Sequence, residues 1–304
     1  MSAIKVPALK PGDSIGLVSP AGAVKAEQVE EALDLLRGQG FKYRLGPHAF
    51  SDHGLTSATV RQRVNDLISF VKDPKIKVIW SLRGGYGSIQ LLKRIDYSIL
   101  EKHPKLLIGF SDITALQWGI YQRTGLPALS GLPLTLQVTE NNRYLPIGLE
   151  ILSGKKTAIS EADLEPGEIA VYRAGNASGT LMGGTLSMIC SLCGTPYWLE
   201  KESLILYIED VNEPLYRIDR YLQQLGLMSF WKRVKGVILG QFLYEGGKLD
   251  VVPLILPHVS SSIPVVYNFP YGHMEQCFPL PMGIKAKLHT SPFELSWTPF
   301  LRKK

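Results

Sequence analysis

Apolar and polar positions in the first half of the chain alternate between two kinds of segment. Short strand-like segments, most of them continuous apolar runs, lie at residues 14–19, 41–45, 77–82 and 106–110. Apolar residues at helical spacing occupy residues 26–36, 59–71, 88–95 and 112–121. This repeated strand–turn–helix order predicts a parallel sheet covered by helices, that is, an α/β domain.

The second half mixes strands and helices in a less regular order. Its strand-like segments are residues 179–184, 203–208, 234–239, 263–267, 283–288 and 293–297, and its helical segments are 186–193 and 215–225. The stretch between the halves lacks periodicity and contains Pro166-Gly167, which is typical of a linker with room for one extended stretch. We therefore predict an N-terminal parallel-sheet α/β domain over residues 1–151, a linker over 152–177 and a mixed α+β domain over 178–304.

The composition of the 304 residues is that of a globular protein, with 45% hydrophobic and 20% charged residues. No stretch approaches the ~18 apolar residues that a membrane-spanning helix needs. Lys5, Lys10 and Asp13 interrupt the segment in which a secretory signal would require an unbroken apolar run. We therefore expect a cytoplasmic protein without a membrane partner.

Charge and cysteine content narrow the choice of ligands. The 33 basic and 27 acidic residues give a net charge of +6, but the basic residues are scattered apart from a run at the C-terminus, so no nucleic-acid partner is expected. Cys190, Cys193 and Cys277 are too few for a disulfide scaffold. Cys190 and Cys193 have CxxC spacing within an apolar pattern and no second pair, which predicts buried core cysteines and neither a metal site nor a cofactor.

The strongest local signal is the segment LLIGFSDITAL at residues 106–116, where a strand leads directly into a helix. Ser111 stands at the predicted helix N-terminus, where backbone N–H groups and the helix dipole favour negative charge. That setting suits a nucleophile whose attack creates an oxyanion, although the G-x-S-x-G pattern is not met. The alternative is that Ser111 or Asp112 only caps the helix.

A glycine-rich turn, RGGYG at residues 83–87, follows the predicted strand 77–82. Glycines at such a turn let the backbone approach a ligand closely, as in an oxyanion hole or a carboxylate-binding turn. A dinucleotide site is the rival interpretation, but the G-x-G-x-x-G spacing is absent. A plain tight turn is the remaining alternative.

Two further residues have the chemistry to assist a serine nucleophile. Glu209 ends an apolar strand, where open α/β sheets bind ligands, but with Asp210 it would also complement the dipole of the next helix. His273 lies in a glycine turn after a predicted buried strand and is the best general-base candidate among six histidines, the alternative being a solvated loop histidine. A serine needs a base, and the base needs a carboxylate to fix its tautomer, so Ser111, Glu209 and His273 make chemical sense together.

Five segments taken together and in this order resemble the LD-carboxypeptidase family of serine peptidases: SLRGGYGS, LLIGFSDITAL, GTLMGGTLSMICSLCGTPY, LYIEDVNEPLYRIDRYLQQL and NFPYGHMEQCFPLPMG. The resemblance covers almost the whole chain. It implies Ser111 as nucleophile, His273 as general base and Glu209 as orienting carboxylate, with Asp210 as the fallback. An oxyanion hole from the backbone N–H groups of Asp112 and Gly85 is implied as well.

The resemblance also implies a place for the site and a substrate. The active site is expected in the cleft between two domains of a homodimeric enzyme that needs no metal. Arg83, Gly84 and Tyr86 are candidates for substrate contacts. The implied substrate is the murein tetrapeptide L-Ala-γ-D-Glu-meso-diaminopimelate-D-Ala, cut before the terminal D-Ala in peptidoglycan recycling.

Two other functions stay open at this point. A peptidase of the microcin C self-immunity type would use the same three residues on a peptidyl or aminoacyl nucleotide and would need an aromatic platform for the base, for which Trp198 is a candidate. A non-catalytic peptide- or sugar-binding protein of the same fold is the other alternative, although a pure binder has no need of all three residues.

Overall fold

The computed structural model describes residues 4–302. Its strands are β1 (Val6–Pro7), β2 (Ser14–Val18), β3 (Lys42–Leu45), β4 (Ile76–Ser81), β5 (Leu106–Gly109), β6 (Ala128–Ser130), β7 (Ala158–Ser160), β8 (Ala170–Arg173), β9 (Asn176–Thr185), β10 (Leu204–Val211), β11 (Val234–Tyr244), β12 (Gly247–Lys248), β13 (Val265–Tyr267), β14 (Leu280–Met282), β15 (Ile284–Thr290), β16 (Phe293–Trp297) and β17 (Leu301–Arg302).

The α-helices are α1 (Glu30–Gly38), α2 (Val60–Lys72), α3 (Tyr97–Lys102), α4 (Ile113–Thr124), α5 (Leu145–Ser153), α6 (Leu186–Cys190), α7 (Leu215–Leu227) and α8 (Val252–Ile255). Short 3-10 helices lie at Ala26–Gln28, Ser88–Leu91, Glu161–Asp163 and Phe230–Arg233. In the part of the chain that the structure covers, no helix has the length and apolar character to cross a membrane.

The strands form two main sheets, the first built from the first half of the chain together with β14 and the second from the second half. The first has the order β14-β6-β5-β4-β2-β3, parallel throughout except for the antiparallel edge strand β14. The second has the order β7-β16-β15-β9-β10-β11-β13-β8, with a parallel centre from β9 to β13 and antiparallel strands on both sides. The fold is therefore the predicted pairing of a parallel-sheet unit with a mixed one.

Local sequence explains the best-defined elements. Helix α2 begins after Thr59, whose hydroxyl accepts the N–H of Gln62 while the Gln62 side chain accepts the N–H of Thr59, a reciprocal capping box. Its buried face includes Leu67 and Phe70 at helical spacing. Strand β10 is buried at every position but the last, as expected for a central strand covered on both faces.

Three differences from the sequence prediction bear on the domain organisation and the candidate site. The stretch 152–177, expected as a linker, carries β7 and β8, which pair with β16 and β13 at opposite ends of the second sheet. The helix expected over 88–95 is a 3-10 turn, and the α-helix begins later, at the Asp96 cap. Strand β10 runs past Ile208, so that Glu209 and Asp210 lie within the strand. Strands of three or four residues are too short to carry periodicity, which is why the first of these differences escaped prediction.

Candidate active site

Ser111 occupies a strained turn between β5 and α4. Its φ is +62°, a conformation that is uncommon for residues other than glycine. The glycine-rich turn packs against it, because a Cβ on Gly84 would lie only 2.8 Å from the Ser111 Cβ and 3.1 Å from its Oγ. The close packing maintains this strained conformation, which places the Ser111 hydroxyl at the amino end of α4.

Ser111, His273 and Glu209 form one hydrogen-bonded chain. The His273 Nε2 lies 2.8 Å from the Ser111 Oγ, and its Nδ1 lies 2.7 Å from the Glu209 Oε2. Because a carboxylate only accepts, the Nδ1–H donates to Glu209 and leaves Nε2 to accept the serine proton. Glu209 is 0% exposed, whereas the imidazole retains some access to solvent.

The electrostatic setting favours a protonated imidazole. Burial acts to lower the pKa of His273, but the charge and hydrogen bond of Glu209 and the charge of Asp210 outweigh it and raise the pKa above the ordinary 6.5. A raised pKa makes His273 a stronger proton acceptor. The arrangement can therefore take a proton from Ser111 and hold the resulting imidazolium.

Asp210, the fallback for Glu209, points to the other face of β10. Its carboxylate accepts the Ser187 N–H at 2.7 Å and the Val211 N–H at 2.9 Å. Burial, and next the charge of Glu209, raise the pKa of Asp210 to about 7. The structure thus brings Glu209, and not Asp210, into contact with His273.

The loop that carries His273 is held from the first half of the chain. The buried Gln137 amide donates to the carbonyl oxygens of Gly272 at 3.0 Å and Met274 at 3.1 Å, the residues on either side of His273. The Phe110 ring packs against the imidazole with 4.7 Å between ring centroids. Both contacts restrict where the imidazole can lie.

Of the two residues expected to form an oxyanion hole, Asp112 follows Ser111 directly, and Gly85 follows Gly84, which packs against Ser111. Within residues 4–302, the N–H groups of Gly85 and Asp112 have no hydrogen-bond acceptor. The Asp112 carboxylate accepts the N–H groups of Gly87 at 3.2 Å and Ser88 at 2.8 Å, which fastens the glycine-rich turn to the start of α4. Free backbone N–H groups next to a serine nucleophile have the chemistry to hold an oxyanion.

Arg63 completes the support of this turn. Its buried guanidinium donates to the carbonyl oxygens of Pro20 at 2.7 Å and Gly87 at 2.9 Å. Burial raises the pKa of Asp112, while hydrogen bonds from Ser88 and Gly87 and the Arg63 charge oppose that rise.

The substrate-contact candidates Arg83, Gly84 and Tyr86 lie together in the glycine-rich turn. The Arg83 side chain is half-buried and donates to the Ala23 carbonyl at 3.3 Å, and Tyr86 is 50% exposed. Trp198, in contrast, is buried and stacks on Trp118 at 6.0 Å. The candidacy of Trp198 as an exposed aromatic platform is therefore wrong, because its ring lies in the core.

The remaining candidates from the sequence are metal-ligating side chains and the three cysteines. Residues 4–302 contain no group of three or more His, Cys, Asp or Glu side chains arranged to hold a metal ion. Cys190 and Cys277 are buried free thiols, and Cys193 is only partly buried. The core position predicted for the CxxC pair is right for Cys190 alone.

The sequence analysis missed Thr185, Gln137 and Arg63. These residues contact Glu209, the His273 loop and the glycine-rich turn, respectively. The Thr185 hydroxyl donates to the Glu209 Oε1 at 2.5 Å. The signal that could have found Thr185 is its place at the carboxyl end of a predicted strand within the motif GTLMGGT. Gln137 and Arg63 carry no such signal, since the carbonyls of Gly272, Met274 and Gly87 that accept their hydrogen bonds are remote in sequence.

Comparison with known proteins matches both halves of the chain to one family. The family model described as the LD-carboxypeptidase N-terminal domain matches residues 15–131, and that of the LD-carboxypeptidase C-terminal domain matches residues 178–288. Relatives include the murein tetrapeptide carboxypeptidase of Pseudomonas aeruginosa, 34% identical over 90% of this chain and 92% of that protein. The microcin C7 self-immunity protein of Escherichia coli is 29% identical over 91% and 90%.

A solved structure of that self-immunity protein, in complex with glutamyl sulfamoyl guanosine, shares the fold. The TM-score is 0.88 at 24% identity, over 98% of this chain and 100% of the other. Since this structural neighbour holds a nucleoside derivative, the expected absence of a nucleic-acid partner has no support from the comparison.

Proposed function

The chain belongs to the LD-carboxypeptidase family, and from that premise we propose that it is a serine carboxypeptidase acting on murein tetrapeptide. It would release the terminal D-Ala from L-Ala-γ-D-Glu-meso-diaminopimelate-D-Ala in peptidoglycan recycling. The observation that carries the proposal is the chain of hydrogen bonds from Ser111 through His273 to Glu209, at 2.8 and 2.7 Å.

The proposed reaction has two steps. In the first, His273 Nε2 takes the Ser111 proton as Oγ attacks the diaminopimelate carbonyl carbon at its L-centre. The imidazolium then protonates the nitrogen of departing D-Ala, which leaves an acyl-enzyme on Ser111. In the second step His273 activates water, the acyl bond breaks, and the proton returns to Ser111.

The developing negative charge is proposed to rest on the N–H groups of Asp112 and Gly85. These donors stabilise the oxyanion best when the Asp112 carboxylate keeps the turn fixed, because a preorganised donor needs no rearrangement in the transition state. Arg83 is proposed to engage the terminal carboxylate of the substrate, and Tyr86 and the Gly84 backbone to line the same subsite.

The proposal extends to organisation and location. We propose that residues 1–151 and 178–304 act as the two functional domains, with Ser111, His273 and Glu209 in the cleft between them. We also propose a homodimer, as the family resemblance implies, that works in the cytoplasm on turnover peptides. Sedimentation of the purified protein tests the dimer.

The test is release of D-Ala from the diaminopimelate tetrapeptide, followed by mass spectrometry with and without EDTA. We expect wild type to release D-Ala in both conditions. Ser111→Ala should lose at least about three orders of magnitude in kcat while retaining its thermal midpoint. Retention of a tenth of wild-type turnover by Ser111→Ala would refute the assignment of the nucleophile.

A second candidate substrate is an aminoacyl or peptidyl nucleotide. The similarity to the microcin C7 self-immunity protein favours it, since a structure of that protein contains a glutamyl sulfamoyl guanosine. The same three residues would attack the acyl group next to the nucleotide. A wild-type enzyme that leaves the tetrapeptide intact but cleaves an aminoacyl sulfamoyl nucleoside would replace the first proposal with this one.

A further inference from the structure

Thr185 lies directly beside Glu209 in the second sheet. It is the last residue of β9, and the parallel register pairs it with Glu209 of β10. Its hydroxyl donates to the Glu209 Oε1 at 2.5 Å, while Oε2 accepts from His273. With Thr185 4% exposed and Glu209 0% exposed, water has little access to this carboxylate. The Thr185 hydroxyl is therefore what satisfies the carboxylate oxygen that His273 does not use.

The same residue also contacts α4, the helix that begins two residues after the nucleophile. The Thr185 N–H donates to the hydroxyl oxygen of Thr114 at 3.2 Å, and Thr114 stands three residues after Ser111 in α4. The approach is close, because a Cβ on Gly184 would lie 2.5 Å from the Thr114 Oγ1. One residue thus connects the buried carboxylate to the helix of the serine.

On the basis of the function proposed above, we propose that Thr185 is a positioning residue for the hydrogen-bonded residues Ser111, His273 and Glu209. Its hydroxyl sets the rotation of the Glu209 carboxylate so that Oε2 faces His273. Its backbone fixes the distance between β9 and α4, and so between Glu209 and Ser111. The contacts close a ring through Ser111, His273, Glu209, Thr185 and Thr114.

Two consequences follow from removing the hydroxyl. The Glu209 carboxylate becomes free to rotate, so fewer molecules hold His273 in line with Ser111. Its charge, no longer shared with a donor, also binds the imidazolium more strongly, which raises the pKa of His273 further. Activity therefore falls, and its dependence on pH shifts upward.

The test compares Thr185→Val, which keeps the shape and removes the hydroxyl, with Thr185→Ser, which keeps the hydroxyl. Thr180→Val is the matched control, because Thr180 of the same strand donates its hydroxyl to the carboxylate of Glu202, away from the catalytic chain. Each variant is assayed for kcat and KM on the tetrapeptide from pH 5 to 9. The rate at which a fluorophosphonate labels Ser111 provides a readout that needs no natural substrate.

For Thr185→Val we expect kcat and the labelling rate to fall about tenfold to a hundredfold, as for loss of one hydrogen bond to a charged group. KM should stay within about twofold of the wild-type value, and the acid limb of the pH–rate profile should move to higher pH. Thr185→Ser and Thr180→Val should keep the wild-type acid limb and at least about a third of the wild-type kcat and labelling rate. The Ser variant guards against misfolding as the cause of the loss.

A Thr185→Val enzyme with wild-type kcat, labelling rate and acid limb would overturn the positioning role. An equal loss of kcat and labelling rate in Thr180→Val would also overturn it, because the loss would then come from a general disturbance of β9. Failure of the proposed substrate is distinguishable: wild type would then be labelled without releasing D-Ala, and the labelling series would still decide on Thr185. A wild type that is neither labelled nor active would overturn both proposals.

Discussion

Glu209 and Asp210 are adjacent, buried and both acidic, yet they have different partners. Side chains alternate between the two faces of a strand, so within β10 only one of the two can reach His273. Glu209 does so, while Asp210 accepts the Ser187 N–H at the start of α6. The motif alone leaves Asp210 as a fallback, because the choice depends on which face of β10 meets the His273 loop.

Replacing Asp210 by Asn should stabilise the protein increasingly as the pH rises. The pKa of Asp210 is raised from 3.8 to about 7, first by burial and next by the charge on Glu209. Between these values the folded protein holds a proton that the unfolded chain releases, so wild-type stability decreases as the pH rises through this window. Asn keeps an acceptor for the Ser187 N–H and does not titrate.

Thermal melts of both proteins at each pH from 4 to 8 measure this effect. The midpoint of the variant minus that of wild type should grow from pH 4 to pH 8. A difference that is constant over this range would mean that Asp210 does not titrate there in the folded protein.

Among the elements, the glycine-rich turn before Ser88–Leu91 matters most to the proposed chemistry. The sequence predicts the turn and the strand before it, because glycines and a continuous apolar run are local signals. It does not predict that the Asp112 carboxylate accepts the Gly87 and Ser88 N–H groups, since these are 25 and 24 residues away. The short strands β7, β8 and β14 escape prediction for the same reason, because pairing with distant strands defines them.

Replacing Asp112 by Asn should loosen the turn and slow catalysis. An amide oxygen accepts as the carboxylate does, but the amide NH2 cannot accept the second backbone N–H, and the buried Arg63 loses a nearby charge. We expect kcat to fall about tenfold to a hundredfold, as for a misplaced oxyanion donor. Steady-state kinetics on the tetrapeptide measure this loss.

Asp96→Asn provides the control for Asp112→Asn. Asp96 accepts the Ser98 N–H at the start of α3, which makes it a second carboxylate that fixes a backbone turn. Its variant should retain the wild-type kcat. Equal kinetics for Asp112→Asn and wild type would mean that the turn keeps its shape without the carboxylate.

At the scale of the whole molecule, the chain crosses between its two sheets in the segment that carries His273. Strand β13 ends in the second sheet at Tyr267, and β14 begins at Leu280 on the edge of the first. The candidate histidine therefore sits on a connection between the units, where Gln137 holds it from the first half. The order of Ser111, Glu209 and His273 suggested their chemistry, but only the crossing brings them within hydrogen-bonding distance.

Replacing Gln137 by Leu should lower kcat with little change in KM. The variant leaves the Gly272 and Met274 carbonyls without their donor and so frees the loop. The two neutral hydrogen bonds to the loop, at about 1 kcal/mol each, correspond to a loss of about thirtyfold in kcat. The Leu132 N–H, which donates to the Gln137 amide oxygen, also loses its acceptor, so thermal melts accompany the kinetics. Gln223→Leu on the exposed side of α7 is the control and should be neutral. A Gln137→Leu enzyme with wild-type kcat would show that Gln137 does not position His273.

The central claim is that His273 activates Ser111 as a nucleophile. The most direct measurement is reaction of the purified protein with a fluorophosphonate, followed by peptide mass spectrometry to locate the adduct. The account predicts an adduct on Ser111 in the wild type and a labelling rate at least about a hundredfold lower in His273→Ala. An adduct on another serine, or labelling of Ser111 at an undiminished rate in His273→Ala, would contradict it.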